Sequence, residues 1–210
     1  MSFIAFIGIP GSGKSSIVRC LSKQYQISSY NEPEEKDWAK AVEMREKSGK
    51  FTAVSWFRSF RVPQLYQAKG DSELGKVSMV DSYYDKLLFN YLGKPGLEWL
   101  LPLDDPYFAL TKEMARLDYE KLPNADILIG LRLTKQVWEE FISRRGRSFD
   151  QEIGFMEAFK SQEPMLEAGR LFAEDFQKVY VEVNQTVSSP EEKGEEIIEI
   201  LKTYSINLSL

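Results

Sequence analysis

The stretch "FIAFIGIPGSGKSSIVRCLSK", Phe3–Lys23, runs from an apolar segment into three glycines, then a lysine and two serines, then a helix-like pattern. Within it, Gly8-Ile9-Pro10-Gly11-Ser12-Gly13-Lys14-Ser15 satisfies the whole G-x-x-x-x-G-K-[ST] spacing. Glycines permit the backbone angles that turn successive N–H groups inward to form an anion nest. The helix that follows adds its positive N-terminal end to the same anion. Lys14 is the residue expected to reach the β- and γ-phosphates, and the Ser15 hydroxyl is expected to ligate Mg²⁺. Pro10 and Ser12 shape the loop and offer backbone contacts, and Ser16 completes the phosphate-facing set. The motif therefore predicts a nucleoside triphosphate site, with ATP and Mg²⁺ as the expected donor and metal.

Outward from the loop, strand-like runs at Phe3–Gly8, Ile27–Asn31, Lys76–Asp81, Ala125–Leu133 and Val179–Val183 alternate with helical stretches. The alternation predicts an α/β fold: a five-stranded parallel sheet with helices on both faces. Helices are expected at Lys14–Gln24, Ala53–Gln67, Tyr83–Leu92, Tyr107–Glu120, Lys135–Arg144, Gly154–Asp175 and Pro190–Thr203. The last carries a capping-box spacing, Ser189 to Glu192, with Pro190 at its first position. A length of 210 residues predicts a single domain, 1–210, with an Arg-rich lid segment at 141–153. The turn-rich stretch Gly93–Pro106 reads as a loop over a site.

Bulk composition narrows the chemistry. A net charge of −5 argues against a general nucleic-acid binder. The single cysteine, Cys20, excludes an intramolecular disulfide and fits a reduced, cytoplasmic setting. No leader-like segment precedes the first apolar run, and no run approaches the ~20 residues that span a bilayer. There is no histidine, so a general base must be a carboxylate, Lys, Tyr or the thiol, and a structural zinc site is disfavoured.

The loop alone does not choose among a kinase, a GTPase and a motor. No N-K-x-D guanine motif is present, and a motor ordinarily needs more chain. Three further stretches bear on the choice: "YNEPEEKDW" (Tyr30–Trp38), "SWFRSF" (Ser55–Phe60) and "RRGRSFDQEI" (Arg144–Ile153). With the glycine loop, this order resembles the deoxynucleoside kinase family within the P-loop nucleoside and nucleotide kinases. "VDSYYD", Val80–Asp85, resembles the family's third-strand motif with a departure: the family has arginine after the acid, and this chain has Ser82.

The resemblance implies phosphoryl transfer from ATP to the 5′-hydroxyl of a deoxynucleoside, with Glu32 as the base on that hydroxyl. Position supports Glu32 independently, because a carboxylate at the carboxyl end of a parallel strand faces the ligand crevice. Asp81, ending the third strand, is the expected second oxygen ligand for Mg²⁺. The resemblance further implies that Arg145 and Arg147 clamp the transferring phosphates from the lid, and that Asn184–Ser188 lies near the adenine. It also extends an expectation of a homodimer.

Arg58 occupies the place where the family has a glutamine that reads the nucleobase. A guanidinium cannot accept a hydrogen bond, so Arg58, with Arg61 one turn on, suggests a phosphate or an acceptor-rich edge. Trp38, Trp56, Phe57, Phe60 and Tyr66 sit at helical spacing or nearby and read chiefly as core, with Trp56 or Phe57 reaching the acceptor. Tyr83 and Tyr84, which follow Asp81, are expected near the acceptor sugar. Lys86 or Arg58 is the expected substitute for the missing arginine at Ser82. Two other readings stay open: a P-loop kinase for a nucleoside monophosphate or another small metabolite, and an ATP-binding regulatory module with little catalysis.

Overall fold

The computed structural model describes residues 2–146 and 156–206. Five strands form one sheet: β1 (Phe3–Ile7), β2 (Ser28–Tyr30), β3 (Ser78–Val80), β4 (Ile127–Arg132) and β5 (Val179–Asn184). All pairings are parallel, in the order β2-β3-β1-β4-β5. β1 is central and wholly buried, as expected of a parallel strand covered by helices on both faces. The chain leaves β1 with β3 on one side and β4 on the other. This reversal opens a crevice at the carboxyl ends of the strands, where ligands bind in such sheets.

The helices are α1 (Lys14–Tyr25), the short α2 (Lys40–Glu43) and α3 (Arg45–Ser48), α4 (Lys50–Glu73), α5 (Tyr84–Tyr91), α6 (Phe108–Lys121), α7 (Lys135–Arg145), α8 (Gln162–Phe176) and α9 (Pro190–Thr203). One apolar cluster, including Phe3, Leu65, Tyr83, Leu128 and Phe172, lies on one face of the sheet. A second, including Ile4, Phe6, Val18, Leu21 and Ile197, lies on the other. This three-layer arrangement is the one predicted from the sequence.

α9 has the predicted bounds and a complete capping box: Ser189 Oγ accepts from the Glu192 amide, and Glu192 accepts from the Ser189 amide. The expected Gly154–Asp175 helix is broken instead. A 3-10 stretch covers Met156–Ser161, and α8 begins at Gln162. Restarting there puts Pro164 in the first turn, where its missing N–H costs no intrahelical bond. α4 is longer than predicted at both ends and carries Pro63 inside it. No described helix is long and apolar enough to cross a membrane.

Candidate active site

The glycine loop is shaped as the motif requires. Gly11 and Gly13 have φ of 81° and 87°, a region costly for residues with a side chain. They are also crowded. A Cβ on Gly11 would lie 2.4 Å from Ile142 Cδ1, and one on Gly13 would lie 2.9 Å from Gln185 Nε2. Gly13 caps α1 with no side-chain bond, so the first-turn N–H groups of α1 are open to a phosphate. Lys14 is buried and curls back on the loop. Its Nζ donates to the Gly8 carbonyl at 2.8 Å, the Ile9 carbonyl at 3.1 Å and Ser12 Oγ at 3.2 Å. Trp138 of α7, fully buried, donates from Nε1 to the Pro10 carbonyl at 2.7 Å, and Gln185 donates to the Ser12 carbonyl at 2.8 Å. The loop is thus braced from two later elements.

The loop opens onto a cavity of about 520 Å³. Pro10, Gly11, Ser12, Gly13, Lys14, Ser15 and Ser16 line its floor, and Gln185, Ser188 and Lys193 line the side behind β5. Arg144 and Arg145, at the end of α7, line the lid side. The opposite wall is Trp38, Val42, Phe57, Tyr84, Leu88 and Trp99, with Glu32 and Arg61 between it and the loop. Of the sequence-predicted residues, the structure therefore brings Glu32, Phe57, Tyr84 and Arg145 to the loop's cavity. The Gly93–Pro106 stretch contributes Trp99 and Leu100, so it does lie over the site. Arg147 and the rest of segment 141–153 beyond Gly146 lie outside the described residues.

Glu32 and Asp81 end adjacent strands and touch. The Glu32 amide donates to Asp81 Oδ1 at 2.9 Å. Asp81 is buried, and its Oδ2 has no hydrogen-bond partner among the described residues. Burial, and then the Glu32 charge, push the Asp81 carboxyl up to about 6, against the pull of the Ser15 hydroxyl and the Glu32 amide. A hydroxyl and a buried carboxylate with an orphaned oxygen are hard donors of the kind Mg²⁺ takes, with phosphates completing its shell. Ser15 and Asp81 therefore fit Mg²⁺.

Glu32 accepts from Arg61 Nη1 at 2.8 Å. Burial alone would raise its carboxyl, but the charges of Arg61 and Lys14 outweigh that and hold it below the usual carboxylate range. Arg61 also grips Asp85, with Nε to Oδ2 at 2.7 Å and Nη2 to Oδ1 at 3.2 Å. Its guanidinium lies 5.4 Å from the centroids of both Phe57 and Tyr84. Burial depresses it, and the two carboxylates more than restore it, so Arg61 stays charged.

Several expectations are corrected. Arg58 does not line the cavity: it makes a bidentate pair with Asp118 of α6, both contacts at 2.6 Å. Arg58 and Arg61 do not share one positive spot, because acids on different helices draw them apart. Lys86 does not replace the arginine absent at Ser82. It is fully buried, donates to the Leu122 carbonyl at 2.8 Å, and stands 4.5 Å from the Phe176 ring centroid. Trp56 lies outside the cavity lining and packs on Phe57 and Phe60. Phe60 and Tyr66, read as core, are exposed. Tyr83 is a core residue, with its hydroxyl between the Pro123 carbonyl and the Ala125 amide. The residue that the sequence reading undervalued is Arg61. Its signal was Asp85, a second acid four residues after Asp81, whose partner becomes visible only in three dimensions.

No family model and no curated protein matches the chain. Among solved structures it is similar to deoxyadenosine kinase from M. mycoides with dATP bound, at 20% identity over 97% of this chain and 100% of that one, TM-score 0.66. The same enzyme with dCTP is matched at 22% identity over 97% and 100%, TM-score 0.60. Shikimate kinase from Acinetobacter baumannii with shikimate is matched at 13% identity over 99% and 96%, TM-score 0.55. The chain has the fold of these P-loop kinases.

Proposed function

We propose that the protein is an ATP-dependent phosphotransferase acting on the 5′-hydroxyl of a deoxynucleoside. The observation that carries this reading is the placement of Glu32: an ionised carboxylate, with no histidine in the chain to compete for its role, on the cavity whose floor is the phosphate loop. The fold shared with deoxyadenosine kinase supports it. The acceptor lies against Trp38, Phe57, Tyr84 and Leu88, and the triphosphate on the loop, with its adenine toward Gln185 and Ser188. Lys14 releases its three loop contacts for phosphate oxygens, and Arg145, at the end of α7, meets the transferring group, with Arg147 the second candidate for that role. Mg²⁺, held by Ser15 and Asp81, would neutralise phosphate charge.

In the reaction, the acceptor oxygen bonds to the γ-phosphorus and the bond from that phosphorus to the β–γ bridging oxygen breaks. The electron pair leaves with ADP, and the hydroxyl proton passes to Glu32. Because the transition state is loose, Glu32 chiefly orients the hydroxyl.

A second reading, an anionic small-metabolite acceptor, is favoured by Arg45 and Lys50 on the acceptor wall and by Glu32 being the only lining carboxylate among the described residues. One experiment separates the readings. ADP release is measured with deoxyadenosine, deoxyguanosine, deoxycytidine, thymidine, their monophosphates and shikimate. Turnover with a deoxynucleoside supports the first reading, and turnover only with an anionic acceptor supports the second. ATP binding with no turnover overturns both and leaves a binding module.

A further inference from the structure

Arg61 is a tightly held charge on the cavity wall. Phe57 and Tyr84 stand on it as aromatic walls, and Asp85 grips it in a two-point fork. Its side chain is only 12% exposed, and Asp85 only 2%. Guanidinium has five N–H bonds. Asp85 takes two of Arg61's, Glu32 takes one, and the other two, on a residue that lines the cavity, have no partner among the described residues.

This arrangement is over-built for holding the fold. Two carboxylates flank one guanidinium, so the cluster carries a net negative charge in a partly buried place. Replacing a buried ion pair with apolar groups often costs no stability, whereas a fork that fixes one arginine plane to within a hydrogen bond suits a group that must be aimed. Asp85 supplies the aim, and Glu32 receives it.

We propose that Arg61, clamped by Asp85, is a further catalytic residue of the acceptor side. It fixes the orientation of the Glu32 carboxylate and gives its two open N–H bonds to oxygens of the phosphoryl group as that group crosses to the acceptor. The inference rests on the phosphotransferase reading above. As the acceptor oxygen bonds to phosphorus and the bridging oxygen leaves with ADP, the phosphoryl's charge is spread over its three equatorial oxygens as they move from the Lys14 side toward Arg61, and the hydroxyl proton goes to Glu32. A guanidinium fixed on the acceptor side meets those oxygens better in flight than in bound ATP, so its effect falls on kcat rather than on binding.

The test uses R61Q/D85N, which removes both charges of the clamp and leaves hydrogen-bonding side chains of similar size, and R61K, which keeps a point charge but loses the fork. Each is compared with the wild-type chain for melting temperature, ATP dissociation constant, acceptor KM and kcat, using the acceptor that the wild type turns over best. The expected result is a folded R61Q/D85N with kcat lower by about 10²-fold, ATP affinity and acceptor KM within about threefold, and R61K lower by about tenfold or more. A folded variant of either kind with wild-type kcat would overturn the proposal, since a merely structural pair is replaceable. If the wild type transfers phosphate to no acceptor, the parent reading fails and this inference falls with it, an outcome distinct from normal turnover in the variants.

Discussion

The Glu32 amide reaches Asp81 Oδ1 at 2.9 Å, so the candidate base and the candidate metal ligand are fixed to each other through one hydrogen bond. β2 and β3 pair in register from Ser28↔Ser78 to Tyr30↔Val80, and each chain turns out of the sheet just beyond. A shift of one residue in that pairing would separate the two carboxylates. The short β2 therefore matters less for the core than for delivering Glu32.

Asp81 should show a trade between stability and activity. Its carboxyl is raised to about 6, above the ordinary 3.8. The folded state then binds this proton more tightly than the unfolded state, and the wild type loses stability from this group as pH climbs from about 4 to about 6. Asp81→Asn keeps an oxygen for the Glu32 amide and carries no charge. It is expected to melt no lower than wild type at pH 7 while needing at least about tenfold more Mg²⁺ for half-maximal turnover. An unchanged Mg²⁺ requirement would remove Asp81 from the metal site.

Lys14 should govern triphosphate binding. At a hundredfold excess over Kd a ligand adds about 2.7 kcal/mol, which is roughly 5–10 °C in melting temperature for a chain of this size. Lys14→Ala is expected to cut the ATP-induced shift below about 2 °C at the same ATP concentration. A retained wild-type shift would contradict the assignment of the loop.

Lys86 predicts an alkaline stability gain unrelated to catalysis. Burial lowers its ammonium to about 8, against the opposing charge of Asp118. The unfolded chain, near 10.5, then binds the proton more tightly, so stability from this group rises as pH goes from about 8 toward 10.5. Lys86→Met should abolish that rise. The difference in melting temperature between variant and wild type, followed from pH 7 to 10, should therefore change in the wild type's favour. A difference that stays flat would mean that Lys86 is neutralised or hydrated in some other way.

What the sequence made legible follows physical range. The turn from β1 through the glycines into α1 is local: the motif spacing, the apolar run and the helical pattern lie within 21 residues, and all appear in the structure. β1, β3 and β4 were legible as buried apolar runs and β5 as an apolar alternation, whereas β2, a half-buried Ser-Ser-Tyr, was only weakly marked; the strand order was not legible, because parallel neighbours are joined by long crossovers. Glu32 and Asp81 were legible because strand ends in such sheets share one edge. Arg58 and Arg61 were not separable, since three residues along a helix gives nearly one direction. Their partners, Asp118 and Asp85, lie 60 and 24 residues away. α2 and α3 escaped prediction because four-residue helices carry no period, and Gly49, at φ 89°, marks their end only in hindsight.

The central claim is that Glu32 works on the acceptor at the triphosphate's end of the cavity. The measurement that tests it most directly is Glu32→Gln, read side by side for ATP affinity and for acceptor-dependent ADP release. The account predicts ATP affinity within about twofold of wild type and kcat lower by roughly 10²-fold or more, the loss expected for a positioned base. Wild-type turnover in a folded Glu32→Gln protein would contradict it.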